Sequence, residues 1–364
     1  MNAATPSLAL LLALSACASG GGSANGPAAN QPVPQAPSDP ALAPQMREKA
    51  AAVLIAAASV PTTETTDPAQ NALRANAIEG LLAMPGRLEP ILRAALSDKS
   101  IGIRSVAAMA AGKAKVRGLN DQLQTLAANA DESPLVRAAA VFALQRNGVA
   151  TDPSILAGML MSPDTQQKSL AAFILGELGN PSAVPMLQQA LNAAPSRSDS
   201  LKDRLMHLQI AEAIVKLRRN GGMTREVEGS LNEIRLALWP VRPEDLEPCA
   251  LAAQILGQLG DRGAEAQLAA LAADRYEKGQ TVPLEVRLVA ASALARIGNP
   301  SGVQLALSSL ANDSPNVRSL AAAVIAETRD TRYLANLNPL LADPEAQVRI
   351  SAAAATVKIT DAPR

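Results

Sequence analysis

Val286-Arg287-Leu288-Val289-Ala290-Ala291-Ser292-Ala293-Leu294-Ala295-Arg296-Ile297-Gly298-Asn299-Pro300-Ser301-Gly302-Val303 is the stretch whose reading decides the fold. Over 286–297 the apolar residues recur three and four apart, which is the spacing of a helix face and not strand alternation. Gly298 suits a left-handed cap at the helix end, and Pro300 shortly after prevents continuation. The same turn recurs upstream as Leu178-Gly179-Asn180-Pro181-Ser182-Ala183-Val184, and there a second helical stretch follows it, Pro185-Met186-Leu187-Gln188-Gln189-Ala190-Leu191.

The start of the long helix recurs as well. Asn312-Asp313-Ser314-Pro315-Asn316-Val317-Arg318-Ser319-Leu320-Ala321-Ala322 parallels Ser97-Asp98-Lys99-Ser100-Ile101-Gly102-Ile103-Arg104-Ser105-Val106-Ala107-Ala108. Aligned on the apolar-Arg step, equivalent residues fall at 74, 104, 137, 168, 207, 249, 287, 318 and 349, with intervals of 30, 33, 31, 39, 42, 38, 31 and 31. Periods in this range mark stacked supersecondary units, each here a pair of helices.

Composition agrees. Of 364 residues, 48% are hydrophobic but only 1% aromatic, so Ala, Leu, Val and Ile must build the core. Small, strongly helix-forming residues suit thin helices packed in series better than one thick globular centre. No strand signal competes. The expected fold is all-α, an α-solenoid of about nine helix pairs over residues 44–364. With 8–10 Å per helix contact, nine units stacked in line make a curved rod of about 80 Å.

The pattern Asp-x-x-x-x-apolar-Arg, then an Ala-rich helix, Leu-Gly and Asp or Asn, resembles HEAT repeats, in particular the short phycobilisome-lyase-type HEAT-like repeats. The resemblance covers roughly residues 44–362. It implies a ladder of Asp and Arg between neighbouring repeats, and the positions that match are Asp98/Arg104, Asp131/Arg137, Asp313/Arg318 and Asp343/Arg349. Asp ahead of a helix can cap free N–H groups, and Arg can donate several hydrogen bonds to the adjacent repeat.

The three long intervals are consecutive. There His207 and Cys249 stand in the ladder position, and no Asp sits six residues before Arg287. The extra residues fall between first and second helices, in loops at roughly 192–204, 239–248 and 275–285. In a stack of constant orientation these loops line one edge, and insertions on one face are often the binding face. They carry the only Trp, Trp239, and one of two Tyr, Tyr276, with Arg197, Arg204, Arg242, Arg275 and Lys278 among acidic residues. Trp, Tyr and Arg are enriched at binding hot spots, so these residues form a candidate protein-binding ridge. The plainer alternative is that Trp239 closes the apolar end of a helix and the loops are solvated filler.

At the other end, residues 1–16 are uncharged and include Leu8-Ala9-Leu10-Leu11-Leu12-Ala13-Leu14, too short to span a bilayer but suited to the apolar region of a signal peptide. Leu14-Ser15-Ala16-Cys17 resembles the bacterial lipobox, which implies cleavage before Cys17 and lipidation of its thiol. Ala16 and Ala18 also give the A-x-A pattern of an ordinary signal peptide. Ala18 after the cysteine goes, in Gram-negative lipoproteins, with the outer membrane. Residues 17–43 then read as a Pro/Ala/Gly/Ser tether, unable to bury enough apolar surface to fold and spanning roughly 25–30 Å on average.

Catalytic chemistry is scarce. His207 is the only histidine, which excludes multi-histidine metal sites, and Cys249 is the only thiol besides Cys17, so no internal disulfide is expected. Gly20-Gly21-Gly22 lacks the strand and helix that a phosphate loop needs. Lys plus Arg equal Asp plus Glu at 33 each, which argues against nucleic acid as a partner. The expectation is a membrane-anchored, periplasm-facing scaffold that binds another protein, large or extended, with no catalytic residues, metal or cofactor. The alternative is a lyase-type repeat enzyme handling a bilin or similar ligand.

Overall fold

The computed structural model describes residues 42–63, 67–193, 200–219, 222, 224–240, 242–275 and 281–361. They form nine helix pairs: α1 (Leu42–Ala58) with α2 (Pro68–Gly80), α3 (Pro85–Ala95) with α4 (Ile101–Lys113), α5 (Asn120–Ala128) with α6 (Pro134–Arg146), α7 (Ser154–Leu160) with α8 (Thr165–Leu178), and α9 (Val184–Ala193) with α10 (Leu201–Arg219). Then come α11 (Arg225–Leu236) with α12 (Leu246–Leu259), α13 (Glu265–Ala272) with α14 (Leu284–Arg296), α15 (Val303–Ser309) with α16 (Pro315–Thr328), and α17 (Leu334–Leu337) with α18 (Ala346–Thr360). No strand occurs among the described residues. Leu42 and Ala43, assigned from sequence to the tether, belong to the first turn of α1.

Local sequence sets the ends of these elements. Gly179 (φ 75) and Gly298 (φ 87) hold the left-handed positions that stop α8 and α14, where an L side chain would be strained. The following Asn180 and Asn299 accept hydrogen bonds from the Ser182 and Ser301 N–H groups and start the next unit. This is the Gly-Asn-Pro punctuation seen in the sequence.

The second helices form the inner layer and are buried on nearly all sides. The first helices bury one face and wrap them. Between second helices the approach is closest at glycine. A Cβ on Gly112 would lie 2.7 Å from the Ala143 Cα, one on Gly176 3.1 Å from the Ala213 Cα, and one on Gly257 2.7 Å from the Ala293 Cα. All three occupy the same register, eight residues after the ladder position.

The expected open rod is corrected by the structure: the stack closes into a ring. Each second helix packs on the next from α2 through α18, and α18 then packs on both α1 and α2. At this seam the Arg47 guanidinium donates to Thr360 Oγ1 (3.2 Å), Asp361 Oδ1 (3.1 Å) and the Ala83 carbonyl (3.4 Å), and Lys49 Nζ donates to Asn338 Oδ1 (3.2 Å). A Cβ on Gly80 would come 3.1 Å from the Ala354 Cβ. The physical reason is a wedge. Inner helices lined with Ala and Gly approach more closely than the outer ones, so each unit turns the stack by about 40° and nine complete the circle.

Closure gives the molecule two faces. Second helices run parallel, so their C-termini and the connections to the next unit share one face. There Asn147 Nδ2 donates to Asn120 Oδ1 (2.8 Å) and Asn299 Nδ2 to Glu265 Oε1 (2.8 Å), linking successive connections. We call this the turn face. The opposite face carries the connections within each pair and the Arg74–Asp98, Arg104–Glu132 and Arg318–Asp343 pairs, and is the ladder face.

Candidate binding surfaces

On the ladder face, Arg74, Arg104 and Arg318 each reach the acid of the following unit rather than their own. Arg74 Nη1 meets Asp98 Oδ2 at 2.5 Å, with both side chains almost wholly buried. Arg104 grips Glu132 with two bonds of 2.9 and 2.7 Å, and Arg318 grips Asp343 with two of 2.9 Å. Within its own unit, Arg104 donates to the Asp98 carbonyl, Arg318 to that of Asp313 and Arg349 to that of Asp343. Glu132, next to Asp131, is therefore the ladder acid there. Arg137 reaches the Ala127 carbonyl (3.4 Å).

The electrostatics follow this pairing. Burial alone would raise the Asp98 carboxyl, but hydrogen bonds from Arg74, Thr62 and the Ser100 N–H outweigh it and hold the carboxyl below its ordinary range. The same opposition, with Arg104 and the Ser133 N–H as donors, lowers Glu132. Arg318 lowers Asp343 directly.

In the middle units other residues take over. His207 Nε2 lies 3.5 Å from Glu233 Oε2. Cys249 is fully buried, its Sγ 3.7 Å from the Leu238 carbonyl, and burial pushes its thiol up to about 12, too high for a thiolate nucleophile at neutral pH. Arg204 pairs with Asp245 (2.8 Å), and at the turn-face end of the same units Arg235 holds Asp261 with bonds of 2.8 and 2.7 Å. Asp274 stands 3.7 Å from Arg287, supplying from the long loop the acid that the regular spacing lacks.

The ridge predicted from sequence lies on the ladder face. Trp239 is 42% exposed and Arg242 and Arg275 are exposed, whereas Arg204 is drawn into its ion pair. Leu236, one turn before Trp239, is 71% exposed, and Leu201 at the start of α10 is 37% exposed. The sequence reading missed both leucines, because a single apolar residue near a helix end reads as core. Arg197, Tyr276, Lys278 and the lipidation candidate Cys17 lie outside the described residues.

A third region is invisible to motif reading. Residues five or nine positions after the ladder position in several second helices, Lys113, Phe173, Glu177, Glu212 and Lys216 among them, gather inside the ring. Lys113 and Lys216 place Nζ 5.5 and 5.4 Å from the centre of the Phe173 ring, so units two, four and five converge there. Lys216 also pairs with Glu177 (2.7 Å) and Glu212 (2.8 Å). Across the ring, Glu327 takes both Arg296 (2.6 Å) and Lys358 (2.5 Å). Burial raises the carboxyls of Glu79 and Glu212 despite Lys113 and Lys216, and lowers the Lys113 amine despite Glu79 and Glu177. For Lys216 burial pulls down, but its two carboxylates prevail and raise it. This interior is a confined, mutually neutralising charge cluster. Among the described residues, no group of three or more His, Cys, Asp or Glu could hold a metal ion, and no helix is long and apolar enough to cross a membrane.

Residues 61–145 and 282–358 match the family model of HEAT repeats. No curated protein matches the sequence. Among solved structures the chain is similar to human deoxyhypusine hydroxylase in complex with glycerol, at 18% identity over 88% of this chain and 99% of that one, with a TM-score of 0.33. It is similar also to the CpcE–CpcF complex of phycocyanin lyase from a Nostoc species (17% identity, 74% and 94% covered, TM-score 0.36) and to a designed armadillo repeat protein (17%, 56% and 98%, TM-score 0.31).

Proposed function

We propose that this protein is a binding module and not an enzyme: a ring of HEAT-type repeats that holds another protein on its ladder face, tethered to the outer membrane through lipidated Cys17 and facing the periplasm. The supporting observation is the clustering of exposed large apolar side chains. Val60, Ile101, Met161, Leu201, Leu236 and Trp239 are the exposed ones among the described residues, and the last three lie in units five and six beside the long loops. Trp and Arg are enriched among the anchors of protein interfaces, and apolar neighbours around them serve to exclude water. A closed ring has no open concave groove, so the partner docks on a face rather than lying along the inside. Against catalysis stand the protonated Cys249 thiol and the burial of His207.

The test is crosslinking in the native envelope with wild type and with Leu236→Ala/Trp239→Ala, at matched melting temperature. Loss of one specific crosslinked protein supports the ridge. Undiminished crosslinking to the same protein, or turnover of a small molecule by the purified ring, overturns the reading.

A further inference from the structure

The two faces of the ring differ in charge. Apart from the interior residues Lys113, Glu177, Lys216, Arg296, Glu327 and Lys358, the described segments of the turn face (83–87, 113–119, 146–153, 177–183, 216–219, 222, 224–225, 258–265, 296–302, 327–333 and 358–361) hold ten Lys and Arg against five Asp and Glu. The described residues of the ladder face (58–63, 67–74, 96–104, 128–137, 160–168, 193, 200–207, 236–240, 242–249, 272–275, 281–287, 309–318 and 342–349) hold twelve against fourteen. A chain of zero net charge is thus folded into a polar disc. Part of the turn-face surplus offsets the negative C-terminal ends of the second helices. The N-termini of the first helices lie on the same face with the opposite sign, so the dipoles largely cancel and the side-chain surplus remains.

Much of that surplus is open to solvent. Lys115, Arg117, Arg146, Arg225, Arg262 and Arg329 are all exposed. They come from five different connections, spread around the circle rather than gathered in one pocket. The described chain also begins on this face: α1 starts at Leu42, and Arg47 in its second turn bonds to Asp361 and the Ala83 carbonyl, at the ends of two second helices. Any tether ahead of Leu42 therefore leaves from the basic side.

We propose that the turn face docks flat on a bilayer surface rich in anionic phosphate headgroups, leaving the ladder face and its ridge turned toward the partner. The orientation rests on the reading of Cys17 as the lipid anchor; the affinity of the face for anionic lipid does not. Basic residues near an anionic membrane each add a modest attraction that fades within a Debye length, about 8–10 Å at ordinary salt, so a flat array works where scattered charges do not.

The test uses the unlipidated chain from residue 18 onward with vesicles of phosphatidylcholine, alone or with one-third phosphatidylglycerol. Sedimentation should show at least tenfold stronger partition onto the anionic vesicles, abolished by about 0.5 M salt as the Debye length shrinks. Lys115→Glu/Arg117→Glu/Arg146→Glu/Arg262→Glu should remove it, whereas Lys99→Glu/Lys202→Glu on the ladder face should leave it unchanged. If the fourfold reversal fails to fold by circular dichroism, the four-Gln version takes its place and should lower partition at least fivefold. Equal partition on both vesicle types, equal loss from the ladder-face variant, or retention of a duplex DNA probe in preference to vesicles overturns the proposal. Palmitate labelling of Cys17 in cells tests the anchor separately: absent label with intact vesicle binding removes the orientation and keeps the surface.

Discussion

Units one to three and eight to nine join by the Arg ladder, whereas units five and six carry His207 and Cys249 at the ladder position. Yet the spine of Ala, Leu and Ile is equally buried in both regions. The ring turns through the irregular units without a break, joined there by Arg204–Asp245 and Arg235–Asp261. The comparison teaches that close packing of second helices is what a repeat requires. The ladder is one of several ways to satisfy the polar groups beside it, and its absence leaves room for long loops.

The sharpest way to break this comparison is to remove one partner of a pair in each region. Asp98→Ala strands a buried guanidinium and should cost about 3–5 kcal/mol. Arg204→Ala, whose pair is 16% exposed on both sides, should cost about 1–2 kcal/mol. Urea unfolding of the two variants checks the order; equal losses would make the two regions energetically alike.

Next in size is a change at the inner contact. Gly257→Val drives side-chain atoms into the Ala293 backbone and should cost about 1–3 kcal/mol, and Gly112→Val should match it from the ladder-bearing half. Gly158→Val, with nothing within 4 Å, should change much less. A melting temperature insensitive to Gly257→Val would show that tight inner packing does not carry the irregular units.

Smallest is the pH response, which separates ladder from interior by sign. Asp98, Glu132 and Asp343 have lowered folded-state values, so their contribution is present above the ordinary carboxylate range and is lost as pH falls through the lowered values. Glu79 is raised, so its protonated form favours the fold and stability is lost as pH climbs from about 4.5 through the raised value. Glu79→Gln should therefore raise the melting temperature by a few degrees at pH 8 and by little at pH 4. A gain that is flat across this range would place Glu79 outside the interior cluster.

Much of this could be read directly from the amino-acid order. Helical spacing, Gly-Asn-Pro punctuation and the recurrent apolar-Arg step define nine pairs, because caps and periodicity act over a few residues. The ladder position of Cys249 was legible for the same reason, as was the long loop that carries Trp239. Glu132 as the ladder acid was not, since neighbouring Asp131 matches the motif and only the direction of the next unit selects between them. Nor were Leu236 and Leu201, whose exposure depends on what lies opposite.

The chain by itself therefore determined which residues form helices, where they stop and which stripe of each is apolar. Only the folded molecule decided that the stack closes, that Lys113, Phe173 and Lys216 meet, and that an electrically balanced chain gathers a basic surplus on one face. Those outcomes depend on the angle between successive units. That angle arises from how closely Gly112, Gly176 and Gly257 let backbones approach and is summed over nine steps, so a small local difference separates a ring from a rod.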